Sequence, residues 1–125
     1  MDVTPLIGAG QQIIQSYNSG GFRISAQLYD GSVFVFPEKT IGWGFDGPVG
    51  DLSIGDFEQL IEHSDQIDVV LLGCGVQMQF LPQELRGALK EAGLSVDVMD
   101  TGAACRTYNV LMAEGRRLVA ALLPV

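Results

Sequence analysis

SVDVMDTGAACRTYNVLMAEGRRLVAALLPV, residues 95–125, decides how the rest of the chain is read. It opens on a short apolar run, SVDVM (95–99), expected as a strand. Asp100 or Thr101 is placed to cap a helix that begins near Gly102. Residues 102–114 put Ala104, Tyr108 and Leu111 on one helical face, and Gly115 is the stop. RLVAALLPV (117–125) then reads as a buried strand.

The same grammar extends backwards. DVVLLG (68–73) is a continuous aliphatic run, as expected of a central strand covered on both faces. Pro82 suits the first turn of a helix, Leu85, Ala88, Leu89 and Ala92 supply its apolar stripe, and Gly93 fits its C′ position. Strands 68–73 and 95–99 are therefore expected to be parallel, joined by a right-handed crossover. The second half reads strand–helix–strand–helix–strand, with the sense of the last strand left open.

The first half reads differently. FRISAQLY (22–29) alternates Phe22, Ile24, Ala26 and Leu28 with Arg23, Ser25 and Gln27, the pattern of one half-buried strand. DGS (30–32) signals a turn, VFVF (33–36) a returning strand ended by Pro37, and TIGWGF (40–45) a third strand. Ser53 and Asp56 make a capping box for a short helix over 54–63. Residues 1–21, broken by Gly8, Gly10, Ser19, Gly20 and Gly21, read as a loosely packed arm. Within it, Ile13, Ile14 and Tyr17 either dock on the body or form one helical turn. The expectation is a single three-layer β/α domain over 22–125: an N-terminal β-meander followed by a βαβαβ half, around a mixed central sheet.

The chain has 125 residues, with 7 basic and 15 acidic side chains and a net charge of −8. Such a field repels nucleic-acid backbones and anionic lipid surfaces. No apolar run reaches the length of a transmembrane helix, and no basic residue precedes Arg23, so the start resembles neither a secretory signal nor a transit peptide. Two cysteines are too few for a disulfide scaffold. The expected location is the cytoplasm.

Parallel strands bring their carboxyl ends to one sheet edge, where open α/β sheets bind ligands. One such end is Gly73-Cys74-Gly75 and the other Asp100-Thr101-Gly102. The candidate crevice is therefore formed by Gly73, Cys74, Gly75, Asp100, Thr101, Cys105, Arg106, Tyr108 and Asn109. Cys105 lies in the first helical turn beside Arg106, where the helix dipole can lower a thiol pKa and where N–H groups can hold an anion. The competing reading is a capped helix, with a buried Cys105, Arg106 paired to Asp97 or Asp100, and Tyr108 packed in the core. The GCG turn lacks a dinucleotide or Walker-type spacing. His63 reads as a solvated helix end, and the acids at 56, 58, 62, 65 and 68 as a charged surface. No catalytic set, metal spacing or cofactor motif is present in these residues.

The blocks GSVFVFPEKTIGW (31–43), DVVLLGCG (68–75) and MDTGAACRTYNVLMAEGRRLVAALLP (99–124), in this order, cover most of the chain. They resemble the small α/β family that includes mitochondrial complex I assembly factor 3 and the adipogenesis-associated domain protein. The resemblance implies a compact three-layer domain, action through protein partners, and no catalytic residues to carry over. The expected function is a non-enzymatic protein-interaction or assembly-factor-like module, marked by an exposed apolar or aromatic patch. The alternative is a small-ligand or anion-binding protein, possibly an enzyme, that uses the crevice. A thiol-redox pair of Cys74 and Cys105 is a third reading.

Overall fold

In the computed structural model, residues 10–125 are described. Two sheets organise them. A small antiparallel sheet contains β1 (Ile14–Asn18), β2 (Gly21–Ile24) and β3 (Gln27–Asp30), in the order β1-β2-β3. The main sheet contains β4 (Val33–Val35), β5 (Thr40–Gly42), β6 (Val69–Gly73), β7 (Val96–Met99) and β8 (Leu118–Leu122). Its order is β5-β4-β8-β6-β7. The helices are α1 (Glu58–Ile61), α2 (Gln83–Glu91) and α3 (Thr101–Ala113).

The α/β class and the mixed sheet are as expected. β6 is parallel to both β7 and β8, whereas β8 is antiparallel to β4. The last strand thus lies between β4 and β6, buried at all five positions. Its alternate residues face opposite ways. Val119 and Ala121 join Phe34, Val70 and Leu72 in a core closed by Leu60 of α1 and Leu85 and Leu89 of α2. Leu118, Ala120 and Leu122 join Val33, Val35 and Leu71 in a second core. That core is closed by Ala104, Tyr108 and Met112 of α3 and by Ile14, Phe22 and Ile24 of the small sheet. Each fully buried aliphatic or aromatic side chain contributes about 1.5–3 kcal/mol to this packing.

The N-terminal half departs from the expected meander in three places. Residues 22–29 are a hairpin and not one strand: β2 pairs β3, with Ile24 opposite Gln27. The two turn residues, Ser25 and Ala26, have φ of +47° and +69°, as a two-residue type I′ turn requires. This turn lacks the usual Asn-Gly pair and is held from outside. The Ser25 hydroxyl accepts from the Ile13 N–H at 3.0 Å and donates to the Gln11 carbonyl at 3.1 Å. The Ala26 N–H donates to Gln15 Oε1 at 2.6 Å. Second, VFVF does not return on 22–29; β4 crosses to the main sheet and pairs β5 and β8.

Third, Ile14–Asn18 is a strand, where a loose arm or a helical turn was expected. Ile14 is buried in the α3 core, so this segment does dock on the body. The part of the expected arm before residue 10 lies outside the described residues.

The capping box at Ser53 and Asp56 is present, but the helix it starts is a 3₁₀ turn, Ile54–Phe57, running into the single turn of α1. Trp43 stacks on Phe34 with ring centroids 4.8 Å apart and donates its indole N–H to the Asp56 carbonyl at 2.9 Å. Among the described residues, no helix is long and apolar enough to cross a membrane.

Candidate functional site

Gly73 at the end of β6 lies in register with Met99 at the end of β7. The Cys74 N–H donates to the Met99 carbonyl and the Thr101 N–H to the Gly75 carbonyl, both at 2.9 Å. The GCG turn and the start of α3 are therefore joined at the carboxyl edge of the sheet.

Thr101 occupies the space between them. It is completely buried, and its hydroxyl accepts from the Gly75 N–H at 2.8 Å and donates to the Leu123 carbonyl at 2.6 Å. A Cβ at Gly73 would stand 3.0 Å from Thr101 Cα, Thr101 Oγ1 and Leu122 Cδ2. Glycine is needed there for close approach, although its φ is not positive. Asp100 takes the N-cap position, its Oδ1 accepting from the Ala103 N–H at 2.9 Å. Since Asp100 caps, the Thr101 hydroxyl is left to tie the chain after β6 and after β8 to the start of α3.

The remaining candidates do not converge on that spot. Tyr108 is buried in the α3 core and donates its hydroxyl to the Gln12 carbonyl at 3.0 Å. Asn109 Oδ1 accepts from the Ile14 N–H at 2.9 Å, and its Nδ2 donates to the Ile14 carbonyl at 2.8 Å. Both side chains thus bind the N-terminal segment to α3. Arg106 is exposed and makes no ion pair with Asp97 or Asp100. His63 is also exposed.

Cys74 and Cys105 are free and buried, and they belong to different cores on opposite faces of the sheet. No bridge can join them without dismantling the sheet between. Burial pushes the Cys105 thiol up to about 12, overriding the lowering effect of Arg106, so the lowered thiol pKa expected in the first helical turn is not found. Burial also raises Cys74, whose thiol donates to the Gln79 carbonyl at 3.5 Å. Both thiols should stay protonated at neutral pH. In the native protein both should be alkylated far more slowly than in urea, with little gain between pH 7 and 9. Because the folded-state values lie above the unfolded ones, stability should also fall as pH rises from about 9 towards 12. Rapid native alkylation of either cysteine at pH 7 would contradict this.

Sequence reasoning passed over the loop after Gly75. Val76, Met78 and Phe80 are 75%, 44% and 80% exposed, whereas Leu81, next along the chain, is buried. The alternation of apolar residues with Gln77 and Gln79 was the available signal. Beside this loop, a cavity of about 320 Å³ opens between the start of β4 and the ends of β6 and β8. It is lined by Ser32, Asp46, Cys74, Gly75 and Val76 among others. A groove of similar size at the opposite sheet edge is lined by Phe36, Lys39, His63 and Arg117. Arg117 is paired there with Asp68 at 2.8 Å. That pair is exposed and adds little stability.

A family model described as a protein of unknown function (DUF498/DUF598) matches residues 14–123. An uncharacterised protein of Rhodobacter capsulatus is 36% identical over 118 residues, covering 94% of this chain and 88% of that protein. The NADH dehydrogenase [ubiquinone] 1 alpha subcomplex assembly factor 3 of Danio rerio is 35% identical over 112 residues, 90% of this chain. The match spans 64% of that relative's length. A solved structure described as an outer membrane protein of Bartonella henselae superimposes with a TM-score of 0.84 at 43% identity. It covers 93% of this chain and 97% of its own.

Proposed function

Because the chain belongs to the DUF498/DUF598 family, we propose that it works as a non-enzymatic protein-interaction or assembly-factor-like module in the cytoplasm. The observation that carries this reading is the loop 76–80, where three large apolar side chains are exposed within five residues. Large apolar groups clustered at a surface favour a protein contact that removes them from water. The assembly-factor name of the zebrafish relative supports the same reading. The polar groups of the crevice at 73–75 and 100–109 support it from the other side. Thr101, Tyr108 and Asn109 spend their hydrogen bonds inside the fold. A net charge of −8 disfavours nucleic acid as the partner.

The test is affinity purification at native expression level, comparing the parent chain with a Val76→Ser/Phe80→Ser variant. Both side chains are exposed, so the variant should fold with unchanged stability, within about 0.5 kcal/mol. The parent should retain a defined protein in fixed proportion, and the variant should lose it by about tenfold or more. Equal recovery by both, or no partner with the parent, would overturn the reading.

A further inference from the structure

The turn at Ser25–Ala26 and the segment Gln11–Gln15 hold each other. L residues rarely adopt a positive φ, and two in succession without a glycine persist only where the surroundings impose them. Here the segment imposes them. The Ser25 hydroxyl spans the Ile13 N–H and the Gln11 carbonyl, and the Ser25 N–H donates to the Ile13 carbonyl at 2.9 Å. Gln15 takes the Ala26 N–H. The β1–β2 ladder does little for this segment. Its register shifts between Ile14 and Ser16, which leaves Gln15 unpaired in the ladder, and only Ile14 of β1 is buried. The other side of the segment rests on α3. Asn109 meets both main-chain groups of Ile14, and the Tyr108 hydroxyl meets the Gln12 carbonyl. The Gln12 N–H donates to the Pro37 carbonyl at 2.9 Å, and Gln12 Oε1 accepts from Thr40 at 2.7 Å.

We propose that Gln11–Gln15 and the Ser25–Ala26 turn form a two-state latch. Closed, the segment keeps the turn left-handed and covers Tyr108 and Asn109 of α3. Open, the turn relaxes to negative φ, and the Tyr108 hydroxyl and the Asn109 amide are released to solvent. Neither half closes alone. Without the segment the strain of the turn is unopposed, and without the turn the segment loses four hydrogen bonds. The stored strain biases this one region towards opening, so the latch opens while the main sheet stays folded. Ala26 sets the bias, because it stands where a two-residue hairpin turn of this type prefers glycine.

The test is native-state hydrogen exchange of the isotope-labelled full chain by NMR. It follows the amides of Ile13, Ile14, Ser25 and Ala26, with those of β6 and β8 as the reference for global unfolding. In the parent the four amides should exchange with one common protection, well below that of β6 and β8. Asn109→Ala leaves every bond of the turn in place, yet should speed the Ser25 and Ala26 amides about tenfold. Ser25→Ala leaves Asn109 in place, yet should speed the Ile14 amide by a similar factor of about ten. Ala26→Gly removes the strain and should slow all four about fivefold, whereas glycine in an unstrained turn would speed them. A turn that ignores Asn109→Ala, an Ile14 amide that ignores Ser25→Ala, or faster exchange in Ala26→Gly would overturn the latch. So would four amides that exchange only with β6 and β8.

Discussion

Thr101→Val should lower the stability of the fold by about 3 kcal/mol, because it removes one hydroxyl and strands two backbone groups. Among the described residues, the Gly75 N–H and the Leu123 carbonyl both find their side-chain partner in that one buried oxygen. Valine keeps the volume, so the loss is not a cavity effect, and each stranded group costs about 1–3 kcal/mol. At a urea slope of about 2 kcal/mol per molar, the midpoint should drop by about 1.5 M. Thr101→Ser, which keeps the hydroxyl and loses only a methyl, should fall by about 1 kcal/mol. Equal midpoints for the Val and Ser variants would show that packing, not hydrogen bonding, secures the sheet edge.

Asn109→Ala should cost about 2 kcal/mol and act on one part of the molecule. The Asn109 amide meets both the N–H and the carbonyl of Ile14, as a neighbouring strand would. Its loss removes both Asn109 bonds between β1 and α3 and leaves the Tyr108 hydroxyl on Gln12, whereas the main sheet keeps every bond. Hydrogen exchange separates the two regions. Amides of Ile14 and of the β1–β2 pairing should exchange faster, and amides of β6 and β8 should change only with global stability. Asn109→Asp keeps an acceptor but turns a carboxylate towards the Ile14 carbonyl, so it should not rescue the loss. Uniform acceleration across both sheets would show that the small sheet is not an independently released unit.

These two residues also show where sequence reading reaches its end. The β/α half was legible because its signals are local. The aliphatic run before Gly73, the stripe of Leu85 and Leu89 and the stop at Gly115 each act within one element. The parallel order then brought the two turns to one edge by rule. The hairpin at Ser25–Ala26 was not legible, because its turn depends on Gln11, Ile13 and Gln15 across a strand pairing. The departure of β4 to the main sheet depends on β8, which lies far along the chain.

At the candidate site, residue types suggested a polar crevice, but their partners decided otherwise. Asp100 takes the cap, Thr101 fills the gap, and Tyr108 and Asn109 turn to the N-terminal strand. Cys105 sits in the expected first turn, where the depth of burial outweighs the neighbouring guanidinium. The loop at 76–80 lay outside the helix and strand templates altogether.

The most direct measurement is in-cell photo-crosslinking with a benzophenone amino acid in place of Phe80, and in place of Leu28 as the control. Leu28 is 76% exposed on β3 of the small sheet and Phe80 is 80% exposed, so both probes see solvent equally. The account predicts one discrete protein adduct from position 80 and none from position 28. No adduct at 80, or the same adducts from both positions, would contradict it.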